Sequence, residues 1–77
     1  MKFDESVVRQ RIRNRLIKCR KESGLTQTEV GNAVGKSTNA VGSWEQGYSL
    51  PDLETFLKLT KLYGKTIEYM FNIETDE

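Results

Sequence analysis

The chain has no histidine and a single cysteine, Cys19. These two scarcities remove much chemistry at once. Without histidine it lacks the commonest general base and the commonest metal ligand. One thiol rules out an internal disulfide, and a zinc site would have to be built from carboxylates. No metal, cofactor or catalytic residue is therefore expected. A small domain without disulfides suits a reducing cytoplasm. No apolar run approaches the roughly 20 residues of a membrane span, and no signal-peptide pattern is present, so no membrane association is expected. There is one proline, Pro51, and no repeat or low-complexity tract, so no linker divides the chain. The alternation of a β-strand is missing too. What remains is one small helical domain over residues 1–77, with 1–8 as an N-terminal extension and 72–77 as an acidic, frayed tail. A chain this short hides only about 60 % of its unfolded surface, which leaves a thin stability margin.

The net charge of +1 conceals a segregation. Residues 1–25 carry eight basic groups against three acids, whereas residues 26–77 carry four against eight. Such asymmetry can orient a protein in the field of a polyanion, or it can be a solvated helix face.

The richest segment is Leu25 to Gly47, LTQTEVGNAVGKSTNAVGSWEQG. It predicts two short helices, Gln27–Val34 and Thr38–Gln46, joined by a tight turn at Gly35 and Lys36. Thr26 and Glu29 are spaced as a capping box, and Ser37 is a good N-cap for the second helix. Gly35 can end the first helix in the left-handed conformation. Val30 and Val34 lie four apart, and Val41 and Trp44 three apart, which gives each helix one apolar edge. This is the form of a helix-turn-helix, whose second helix can enter the major groove of DNA.

Three further helices complete an all-α, compact five-helix bundle. The first runs from Asp4 or Glu5 to about Glu22 before Gly24, with Val8, Ile12, Leu16 and Cys19 on one stripe and Ile17 pointing away. Asp52 caps a fourth helix that reaches Gly64, and Thr66 caps a short fifth containing Ile67, Met70 and Phe71. Ile67 and Phe71 are read as closing the core, and Met70 and Ile73 as apolar groups available to a dimer interface.

The ordered pieces Leu16, Arg20, Gly24–Gln27, Val30, Val34–Gly35, Ser37, Val41, Trp44–Gly47, Pro51–Thr55, Leu57–Lys61, Gly64, Thr66–Ile67 and Phe71 resemble the lambda-repressor/Cro-type helix-turn-helix family, the XRE family, over about residues 12–71. The resemblance implies sequence-specific binding of double-stranded DNA by a bacterial or phage transcriptional regulator, a repressor acting as a homodimer on paired half-sites. It places Thr38, Asn39 and Ser43 at base edges, with Ser37 and Gly42 beside them. It places Gln27, at a helix N-terminus, among the phosphate contacts, together with Thr26, Lys36, Gln46, Gly47, Tyr48 and Ser49. It also implies a structural ion pair between Arg20 and Glu45, with Arg20 able to lean toward a phosphate.

Departures from the family pattern shape these expectations. Gly42 inside the recognition helix costs about 1 kcal/mol relative to Ala. Gly31 stands where Ala is usual and points to close helix packing. Lys65 replaces a small aliphatic residue and makes the corner between the last two helices wetter. The recognition helix has no arginine, so the commonest guanine contact is missing and A·T-containing sites are favoured. Arg9 and Arg13 share one flank of the first helix; Arg11, Arg15 and Lys18 share the other. Steering to DNA, contact with an acidic partner and plain solubility all remain open for them. A protein-binding module on the same scaffold, antitoxin-like or anti-repressor, is the alternative function. An enzyme is not expected, since five short helices leave little room for a pocket of about 300 Å³, and without a separate ligand domain no small-molecule ligand is expected.

Overall fold

The computed structural model describes residues 4–72. Five helices follow in order: α1 (Glu5–Ser23), α2 (Gln27–Val34), α3 (Thr38–Glu45), α4 (Leu53–Tyr63) and α5 (Ile67–Phe71). Among the described residues there is no strand.

Side chains set most of the helix starts. Asp4 accepts from the Ser6 amide, and Ser37 and Thr66 each accept from the amide three residues on. At α2 the capping box is complete. The Glu29 amide donates to Thr26 Oγ1 at 3.1 Å, and the Thr26 amide donates to Glu29 Oε1 at 2.9 Å. Asp52 holds the cap position of α4 but accepts from Thr55 Oγ1 at 2.6 Å instead of from an amide. That hydroxyl holds the Asp52 carboxyl below the usual carboxylate range.

The turn between α2 and α3 needs its two glycines for different reasons. Gly35 sits at φ 75°, the left-handed region where a Cβ would clash with the chain's own backbone. Gly31 is a matter of space. A Cβ there would stand 2.6 Å from the Lys36 carbonyl oxygen, because the turn folds back tightly on α2.

All five helices contribute to one core. It is built from Ile12, Leu16 and Cys19 of α1, Val30 and Val34 of α2, Val41 and Trp44 of α3, Phe56 and Leu59 of α4, and Met70 of α5. Cys19 Sγ donates to Met70 Sδ at 3.8 Å, and burial pushes the thiol pKa up. Phe71 stacks on Phe56 with ring centroids 5.0 Å apart.

Several expectations are corrected here. Met70 is 0 % exposed, packed against Cys19, so its side chain cannot serve as a dimer contact on this surface. Ile73 lies outside the described residues. Ile67, expected to close the core, is 41 % exposed, and Phe71 alone of that pair closes it. Ile17 is half-buried rather than exposed. α3 ends at Glu45, one residue early, and α1 reaches Ser23, one residue late, within the usual fraying of helix ends. Residues 5–8 of the N-terminal extension form an added turn of α1.

Candidate nucleic-acid interface

One carboxylate fixes the orientation of α3. Glu45, 8 % exposed, accepts from Arg20 Nε at 2.7 Å, from Arg20 Nη2 at 3.0 Å and from Gln27 Nε2 at 3.0 Å. Arg20 Nη1 donates to the Leu25 carbonyl at 2.9 Å, and Arg13 Nε donates to the Glu45 carbonyl at 3.1 Å. The first three helices thus converge on the end of α3. A charge this buried is tolerated because it is paired and both of its oxygens accept hydrogen bonds. Burial, followed by the charge of Glu45, also pushes the Tyr63 phenol well above its ordinary pKa.

With its inner face pinned, α3 turns its polar face outward. Thr38, Asn39, Gly42 and Ser43 line an open concavity of about 290 Å³ together with Gln27, Gln46 and Tyr48. Thr38 and Asn39 are exposed; Ser43 is half-buried. Gly42 leaves the floor bare, and a Cβ there would meet Gln27 Oε1 at an ordinary 3.7 Å. Two hydroxyl pairs brace the row: Thr38 Oγ1 with Thr28 Oγ1 at 2.9 Å, and Ser43 Oγ with Ser49 Oγ at 2.7 Å. Ser37 stands beside the concavity, its hydroxyl accepting from the Ala40 amide at 3.0 Å as the helix cap. The exposed Asn39 carboxamide can bond adenine N6 and N7, and the Thr38 methyl can touch a thymine methyl.

The residues expected at phosphates are dispersed. Gln27, Gln46 and Tyr48 reach the rim of the concavity. The Gln27 carboxamide is engaged with Glu45, which leaves its backbone N–H in the first turn of α2 as the donor for an anion. Thr26 uses both its amide and its hydroxyl in the capping box. Ser49 is tied to Ser43, and the Gly47 amide donates to the Trp44 carbonyl at 3.2 Å. Lys36 Nζ lies 3.6 Å from Asp52 Oδ1, with both side chains exposed. Arg20 has its guanidinium occupied by Glu45 and Leu25.

Two residues that sequence reasoning did not assign belong to this site. Thr28 braces Thr38, a contact that depends on how α2 and α3 cross. Arg13 holds the end of α3, and in the sequence it was visible only as one of several cations on α1. Among the described residues no group of three side chains is placed to hold a metal ion, and no helix is long and apolar enough to cross a membrane.

The chain is similar in sequence to known proteins. A helix-turn-helix family profile matches residues 16–70. The chain is 34 % identical over 56 residues to the HTH-type transcriptional regulator ImmR of Bacillus subtilis (strain 168), a match covering 73 % of this chain and 44 % of that protein. It is 41 % identical over 58 residues to the cryptic phage CTXphi transcriptional repressor RstR of Vibrio cholerae, covering 74 % and 52 %. The SPbeta prophage-derived uncharacterized HTH-type transcriptional regulator YonR of B. subtilis (strain 168) is 32 % identical over 56 residues, covering 73 % and 52 %. The chain spans about half the length of the curated relatives it matches.

Proposed function

The chain belongs to the helix-turn-helix family, and on that premise we propose that it regulates transcription by binding double-stranded DNA sequence-specifically, with α3 in the major groove. The observation that carries this reading is the outward row Thr38–Asn39 on a helix whose opposite side is pinned by Arg20, Gln27 and Glu45. A reading helix must hold its polar side chains at fixed positions relative to the phosphate contacts, and that buried joint supplies the rigidity. Repression is the favoured sign of regulation, by likeness to the Vibrio phage repressor.

Dimeric binding is part of the proposal. One eight-residue helix whose only side chains lining the concavity are Thr38, Asn39 and Ser43 reads few bases, and two copies on half-sites about 34 Å apart double that number. Exposed Leu62 and Ile67, on α4 and α5, supply apolar surface for pairing in place of the buried Met70.

Selection of binding sites from random duplexes, at stated salt, tests the reading. The expected result is an enriched A·T-containing motif present twice, one helical turn apart. A protein that enriches no sequence and binds no duplex would instead be a protein-binding module on this scaffold.

A further inference from the structure

The two flanks of α1 face different surroundings. On one, Arg11 Nη1 donates to the Asn72 carbonyl at 3.0 Å, and the Arg15 guanidinium lies 4.0 Å over the Tyr69 ring, so this flank is turned toward α5. The other flank meets the segment that follows α3. There Arg13 Nε donates to the Glu45 carbonyl, and Arg13 Cδ lies 3.5 Å from where a Cβ on Gly47 would stand. One turn earlier, half-buried Arg9 lines a hollow of about 300 Å³ with Glu5, Val8 and Leu50. The same segment sends Gln46 and Tyr48 to the concavity of α3. The rim of that concavity therefore continues past Gly47 to Arg13 and then to Arg9.

We infer that Arg9 and Arg13 form a phosphate-binding ridge, which carries the DNA contact beyond α3 onto the backbone flanking the bases it reads. The inference rests on the DNA-binding reading given above and deepens it. Four residues of helix rise about 6 Å. Two cations one helical turn apart on the same flank can each meet a phosphate of one strand. Arginine suits the task, because its charge persists at any working pH and its planar fork of donors matches a phosphate. Arg9 supplies that fork, whereas Arg13, with Nε on the Glu45 carbonyl and Nη1 on Asn14 Oδ1 at 3.2 Å, supplies Nη2 and its charge. Glu5, in the same hollow as Arg9, opposes an anion and moderates the site.

The test is the salt dependence of binding to the selected duplex. Arg9→Gln is the main variant, because Arg13 also bonds the end of α3. Arg11→Gln removes an equal charge from the opposite flank. For Arg9→Gln the slope of log K against log salt should become shallower by about 0.9 per protomer, with base preference unchanged. For Arg11→Gln the slope should stay as in the parent. Glu5→Gln should bind more tightly at low salt. Ethylation interference on the parent protein should mark phosphates outside the base-contacted steps, and these marks should fade with Arg9→Gln. An unchanged slope for Arg9→Gln, or equal losses from both arginine variants, would overturn the ridge while leaving DNA binding intact. A parent protein that binds no duplex would overturn the DNA-binding reading and the ridge with it.

Discussion

Arg20 grips Glu45 with two nitrogens, Nε at 2.7 Å and Nη2 at 3.0 Å, and so ties the first helix to the end of the third. Because the carboxylate also accepts from Gln27, its loss releases three helices at once. Glu45→Ala leaves a shielded guanidinium without its counter-charge and should cost about 3–5 kcal/mol. That is a large share of the 5–15 kcal/mol or so that holds a typical domain folded. Urea denaturation reads the loss directly, and wild-type stability in the variant would show the joint to be ornamental.

Gly31 and Gly42 both lie inside helices, yet substitution should act in opposite directions. At Gly31 an added methyl meets the Lys36 carbonyl at 2.6 Å, a backbone atom that cannot step aside cheaply. Gly31→Ala should destabilise by about 1–3 kcal/mol through overpacking. At Gly42 the nearest neighbour is a side-chain oxygen at 3.7 Å. Gly42→Ala should stabilise by about 0.5–1 kcal/mol, the ordinary helix-propensity gain, while filling part of the concavity. Thermal melting of the two variants side by side checks both signs.

Met70→Ala should cost about 2–5 kcal/mol, the range for emptying a filled core position. Ile67→Ser, at a side chain that already meets solvent, should cost far less. Denaturation curves separate the two. If dimers pair through the α4–α5 corner, sedimentation should show weakened association for Ile67→Ser and not for Met70→Ala beyond its unfolding.

Alkaline pH should weaken the fold through Tyr63. Its phenol is half-buried and lies near the charge of Glu45, so the folded chain keeps the proton at pH values where the unfolded chain releases it. The folded state then binds more protons than the unfolded state, and stability falls as pH rises above about 10. The limiting slope is about 1.4 kcal/mol per pH unit. Tyr63→Phe should flatten that part of the profile, measured as urea midpoints between pH 9 and 11.

Much of this molecule is legible from its sequence, for local reasons. Thr26, Ser37 and Thr66 cap helices where their spacing to the following residues predicts, and the apolar pairs Val30–Val34 and Val41–Trp44 face inward as their periods require. The contacts that depend on how helices cross are harder to read. Nothing in the local pattern tells Thr28 to find Thr38, Ser43 to find Ser49, or the Gln27 carboxamide to turn to Glu45 rather than outward. The inward turn of Met70 is hidden for another reason. α5 has five residues, too few for an apolar period to mark one face.

Asn39→Ala tests whether α3 reads bases. Asn39 is exposed beside the concavity, so its truncation leaves the fold's packing alone. Affinity for the selected duplex and for a scrambled duplex should be measured at one fixed salt concentration. The expected result is a loss of about 1–3 kcal/mol on the selected duplex, roughly 5- to 150-fold, and no change on the scrambled one. Equal affinity of parent and variant for the selected duplex, with the same preference over the scrambled one, would contradict it.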